Sequence, residues 1–185
     1  MRLSVTREDY FEAAMQILAD HGHHSLKMST LCQKLNVTTG SFYNYFGNWA
    51  NFIPELLEYW ETERTERIAA LSLRPADPND QVRLMKELAI QVPHSAEIAI
   101  RAWSNGDPVV AGFQKRVDQR RFEALQTVVR GLVSDETKVE LLSVIGISLL
   151  VGLQSWRSPV DTEELHRVFD EFDTVIMRYA DKTVH

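Results

Sequence analysis

Apolar side chains recur every three or four positions along nearly the whole chain, and no stretch alternates apolar and polar residues between turn signals. The pattern predicts an all-α protein of about nine helices. Thr6 is the expected cap of the first, with Glu8 and Asp9 in its opening turn and Tyr10, Phe11, Ala14, Ile17, Leu18 and His21 along one stripe before Gly22. Ser29 is the expected cap of a short second helix carrying Met28, Leu31, Cys32 and Leu35 on one face and stopping at Asn36. A third short segment has only Phe42 and Phe46 for its buried side, which leaves Thr39, Gly40, Ser41, Tyr43 and Asn44 facing outward. A longer helix follows with Trp49, Phe52, Ile53, Leu56, Leu57 and Trp60, continuing more weakly through Ile68 and Leu71. Pro54 lacks an N–H, so this helix either kinks there or begins near Asn51.

Arg74 to Pro78 is the clearest linker, and Asp77 as cap with Pro78 in the first turn restarts a helix. Pro93 and the turn Asn105-Gly106-Asp107-Pro108 punctuate three further helices, the last running from Pro108 to about Leu132. Ser134 and Asp161 are the expected caps of two final helices, about 135–156 and 162–181. The first of these is apolar on almost every face. The chain therefore divides into a three-helix head, residues 1–53, and a helical second domain, residues 54–185.

Composition narrows the function. Of 185 residues, 44% are hydrophobic and 25% charged, the balance of a folded domain rather than a disordered or low-complexity chain. A single cysteine, Cys32, excludes an intrachain disulfide, and without a basic and apolar leader the expected location is the cytoplasm. Val144 to Leu153, the longest apolar run, is too short to cross a bilayer, so no membrane partner is expected. A net charge of −6 does not suit a protein that coats nucleic acid, so any DNA contact must be local. No phosphate loop, nucleophile elbow or carboxylate pair beside a histidine appears, and His21, His23 and His24 have only Asp20 nearby to complete a metal site. Neither catalysis nor a cofactor or metal is expected.

Two short helices separated by a three-residue turn, the second with a polar outer face, form the footprint of a helix-turn-helix. Asn36 tolerates the left-handed backbone such a turn needs, and Thr38 or Thr39 can cap the next helix. The N–H groups at that helix start favour a DNA phosphate, Gly40 removes a side chain where backbones must approach, and an exposed Tyr43 among hydroxyls suits a phosphate or base contact.

The run Leu31-Cys32-Gln33-Lys34-Leu35-Asn36-Val37-Thr38-Thr39-Gly40-Ser41-Phe42-Tyr43-Asn44-Tyr45-Phe46 resembles the N-terminal signature of tetracycline-repressor (TetR) family regulators, over roughly residues 7–60. The resemblance implies that Phe42 and Phe46 are core, that Ser41, Tyr43 and Asn44 touch phosphates, and that Thr39, Gly40 and Tyr45 lie nearest base edges. Thr30 and the capping Thr38 complete the DNA-facing set. It further implies a homodimer on palindromic operator DNA, acting as a repressor released by a small-molecule effector, with Met85, Trp103, Phe113, Phe122 and Trp156 as candidate pocket residues. Leu142, Leu149, Leu153, Phe169, Phe172 and Ile176 are the expected dimer seam, because an all-round apolar helix beside an amphipathic one suits paired helices. Where the family places a lysine at the start of helix four this chain has Trp49, and the head carries Arg2, Arg7, Lys27 and Lys34 against Glu8, Asp9, Glu12 and Asp20, so it is formally neutral. That neutrality keeps a second reading open, a dimeric helical interaction protein with weakened DNA binding.

Overall fold

The computed structural model describes residues 5–156 and 159–181. Among them are ten α-helical segments and no strand: α1 (Arg7–His21), α2 (Met28–Leu35), α3 (Thr39–Phe46), α4 (Trp49–Glu61), α5 (Arg67–Ser72), α6 (Pro78–Ile90), α7 (His94–Ser104), α8 (Pro108–Arg130), α9 (Glu136–Trp156) and α10 (Thr162–Tyr179). A π-helical turn, Thr62–Glu66, joins α4 to α5 without a break, so nine rods result. They form two compact units, one of residues up to Glu61 together with Pro93–Lys115, the other of Thr62–Val92 and the residues from Arg116 onward.

In the first unit the local chemistry of each helix end sets the geometry. Thr6 and Asp9 exchange bonds in a capping box, Asp9 N–H to the Thr6 hydroxyl at 3.2 Å and Thr6 N–H to the Asp9 carboxylate at 2.7 Å. Gly22 ends α1 at φ 73°, a backbone a side chain would strain. The cap of α2 is Lys27 rather than Ser29: Leu31 N–H already reaches the Lys27 carbonyl at 2.9 Å, so the first turn closes before Ser29. Asn36 sits at φ 52°, ψ 47°, the left-handed residue between α2 and α3. Thr38 caps α3 through Ser41 N–H at 3.3 Å, and the Asn48 carboxamide oxygen accepts from Asn51 N–H at 2.8 Å to start α4. α4 begins at Trp49 and runs through Pro54, which is exposed. Tyr10, Phe11, Phe42, Phe46 and Phe52 make the aromatic core, and α7 packs on α1.

The second unit is built from α5, α6, most of α8, α9 and α10. Val129, Val133, Val139, Leu142, Phe172 and Ile176 form one apolar cluster, and Ile90, Leu150, Leu165 and Phe169 another. Asp135, not Ser134, caps α9 by accepting from Thr137 N–H at 2.9 Å and Lys138 N–H at 3.3 Å, while the Ser134 hydroxyl donates to Asp181 at 3.1 Å. Asp77 and Asp161 cap α6 and α10. By length and composition α9 is apolar enough to cross a membrane, yet Val139, Leu142 and Leu150 are spent in these clusters.

The residues expected at a dimer seam are placed as follows within the single chain. Leu142, Phe169, Phe172 and Ile176 are buried inside the unit, and Leu149 and Leu153 pack against its clusters. Helical periodicity identifies a residue that needs covering but not what covers it. Apolar positions of α9 left exposed are Leu141, Val144 and Ile145, on one stripe with Ser148 and Gly152, and Trp156 at its end.

Candidate functional site

The outward face of α3 is assembled from the helix start upward. Thr38, Thr39, Gly40, Tyr43 and Asn44 are exposed, Tyr43 to 48%. A Cβ on Gly40 would meet only Thr38 Oγ1, at 3.6 Å, so no contact within the chain requires a glycine there. Thr30 is half-buried on α2, and Lys27 and Lys34 flank it in the open.

Ser41 and Tyr45 behave differently from the rest of the expected set. One turn apart, they face α1: the Tyr10 hydroxyl donates to Ser41 Oγ at 2.9 Å, and the Tyr45 hydroxyl donates to the Val5 carbonyl at 2.6 Å with its ring 5.5 Å from that of Tyr10. Burial pushes the Tyr10 phenol above its ordinary value, partly offset by the Ser41 bond, so it stays a neutral donor. Arg7 is also committed inward. It bonds the Tyr45 carbonyl at 2.9 Å, pairs with Glu55, and lies 4.8 Å over the Phe46 ring. Trp49 is half-buried, with ring centroids 5.7 Å from Phe42 and 5.1 Å from Phe52. Sequence inspection placed Tyr10 on the buried stripe but did not assign Tyr10 or Arg7 to holding α3. The partners lie more than thirty residues away, beyond any local pattern.

The second unit holds a partly open cavity of about 100 Å³, walled by Ile68, Val82, Met85, Leu150, Phe169 and Phe172 among others. Its ionisable lining is Arg64, Lys86, Arg121 and Asp173. The Lys86 ammonium reaches from α6 to two carboxylates on α10, Asp170 at 2.7 Å and Asp173 at 3.0 Å. Burial acting on Asp173 outweighs Lys86 and raises its carboxyl above the usual range, whereas Lys86 pulls the open Asp170 below it. Of the pocket residues named from the sequence, only Met85 lines this cavity. Trp103 and Phe113 belong to the other unit, where Trp103 stacks on His23; Phe122 is half-buried away from the lining, and Trp156 is 73% exposed. Lining drawn from five helices leaves no contiguous motif to find.

An all-α chain whose exposed, capped helix is mounted on a left-handed turn and braced by two neighbours is a helix-turn-helix protein with a cavity-bearing helical partner unit. Residues 11–55 match the sequence model of the bacterial regulatory proteins of the tetR family. No curated protein matches the chain in sequence. Solved structures resemble it over nearly their full lengths: a transcriptional regulator from Rhodococcus sp. Rha1 (TM-score 0.75, 15% identity, covering 97% of this chain and 100% of that one) and a TetR-family transcriptional regulator from Streptomyces coelicolor (0.76, 14%, 95% and 96%). A structure described as a transcriptional regulator from Saccharomonospora viridis, in complex with choline, is similar to the same degree (0.73, 14%, 95% and 98%). The head thus resembles the tetR-family model, and the chain shares the fold of solved TetR-family regulators.

Proposed function

We propose that this protein is a homodimeric DNA-binding transcriptional regulator, a repressor of its own class of operator that a small molecule in the second unit releases. The observation that carries the reading is the outer face of α3: an eight-residue helix start with Thr38, Thr39, Gly40, Tyr43 and Asn44 open to solvent on a rigid aromatic base. Exposed amides at that start offer donors to a phosphate, Gly40 allows close approach, and Tyr43 and Asn44 reach sideways along a groove. Two such helices on a two-fold axis read half-sites one helical turn apart, roughly 34–36 Å, which makes the operator palindromic. The family match over the head supports this, and the choline complex of a similar regulator supports a ligand in the cavity.

Selection of bound fragments from random genomic DNA, followed by mobility shift, tests it. Tyr43→Ala is expected to cost about 1–3 kcal/mol of operator affinity at unchanged melting temperature. An unaltered affinity would remove α3 from the interface.

A further inference from the structure

We propose that the cavity of the second unit takes a short carboxylic acid of roughly six heavy atoms in all, whose carboxylate accepts a hydrogen bond from Thr65; its regulatory meaning rests on the effector-controlled reading above. Thr65 lines the cavity, is only 2% exposed, and its hydroxyl bonds to no described residue. That is exceptional in this unit. Ser72, Thr127, Ser143 and Thr174 each donate to the carbonyl four residues back, at 2.8, 2.9, 2.7 and 3.1 Å. Thr65 lies instead in the π turn Thr62–Glu66, where the widened ring takes the corresponding carbonyl out of register. A buried hydroxyl left in that state costs free energy, and a ligand oxygen would recover it.

Size and charge narrow the ligand further. A dry cavity of about 150 Å³ accepts benzene, so about 100 Å³ suits a body slightly smaller. The wall is aliphatic and aromatic apart from Thr65 and four ionisable groups, Arg64, Lys86, Arg121 and Asp173, of which Lys86 bridges to Asp173 and to Asp170 beside it. An amine or quaternary ammonium would face the Lys86 ammonium, whereas a carboxylate can accept a hydrogen bond from it. Lys86 has a donor to give: an ammonium carries three N–H groups, and Asp170 and Asp173 occupy two. This distinguishes the cavity chemically from a site for choline.

Calorimetry and thermal melts on the purified full chain, with isobutyrate, isobutyramide and isobutylamine as probes, test the assignment. Isobutyrate is expected to bind and raise the melting temperature, the amide to bind at least about tenfold more weakly, and the amine not to bind. Thr65→Val should weaken isobutyrate by about tenfold without lowering the melting temperature of the unliganded protein, since it deletes an unsatisfied hydroxyl, and Thr65→Ser should retain binding. No isobutyrate binding, equal binding of amide or amine, or an indifferent Thr65→Val overturns it. Mobility shift on the same preparation separates the two readings: carboxylate binding without DNA binding sinks the regulator alone, and DNA binding without carboxylate binding sinks the ligand class alone.

Discussion

Trp49 stands where the resemblance implies a lysine, and its surroundings assign it to packing. Its indole closes the aromatic layer of Phe42 and Phe52 beneath α3. Trp49→Lys should therefore lower stability by about 1–3 kcal/mol in thermal or urea melts and weaken operator binding, even though the added charge in both subunits steepens the salt dependence by up to about 1.8. A fully stable variant with raised affinity would show the indole to be dispensable. Gly146 is a second position decided by contact. A Cβ there would lie 2.5 Å from Leu125 Cδ2 and 2.8 Å from the Phe172 ring, so Gly146→Ala should cost about 1–3 kcal/mol by overpacking, read from the urea midpoint.

At the scale of elements, the head depends on how α1 meets its neighbours. Tyr10 and Arg7 on α1 hold the far flank of α3, which is why Ser41 and Tyr45 serve the fold while Tyr43 and Asn44 face outward. The short turn after α1 adds a pH response. His23 lies 3.9 Å from His24 and parallel to Trp103 of α7 at 5.9 Å. Burial, and then the charge of His24, hold the His23 imidazole below its ordinary value. The folded head thus binds fewer protons than the unfolded chain, and the stability His23 contributes is present above the ordinary histidine range and lost as pH falls through it toward the folded value. Thermal melts should show a fall between about pH 7 and pH 5 that His23→Gln makes shallower. Parallel curves for the two proteins would remove His23 as the cause.

For the whole molecule, the stripe of α9 that stays exposed in the single chain is the face a dimer is expected to bury. Leu141 and Val144, each about half exposed, lie beside Ser148 and Gly152, small residues that let a second helix approach. Wild type is expected to scatter light as a dimer at micromolar concentration, and Leu141→Glu with Val144→Glu to yield folded monomers. Phe172→Glu would instead unfold the second unit, because Phe172 is core. Nothing lies within 4 Å of a Cβ at Gly152, so Gly152→Ala should leave the unit's own packing intact while disturbing a close seam. A wild type already monomeric at that concentration would end the seam.

The sequence alone determined the rods and their ends. Thr6, Asn36, Thr38, Asp77 and Asp161 act through bonds to amides within three residues or through their own backbone angle, so their roles are legible in a short window. The helix-turn-helix was legible for the same reason, since α2, Asn36 and α3 are contiguous. Cap choice failed where two candidates stood side by side, as at Ser134 and Asp135, because hydrogen-bond geometry and not residue type selects between them. Tertiary structure decided everything that depends on which apolar face meets which. Periodicity marked Phe169, Phe172 and Ile176 as buried but could not distinguish a partner subunit from α6, α8 and α9 of the same chain. The cavity, the Lys86 bridge to Asp170 and Asp173, and the idle hydroxyl of Thr65 arise only when helices far apart in sequence converge, because burial is a property of neighbours in space and carries no signature along the chain.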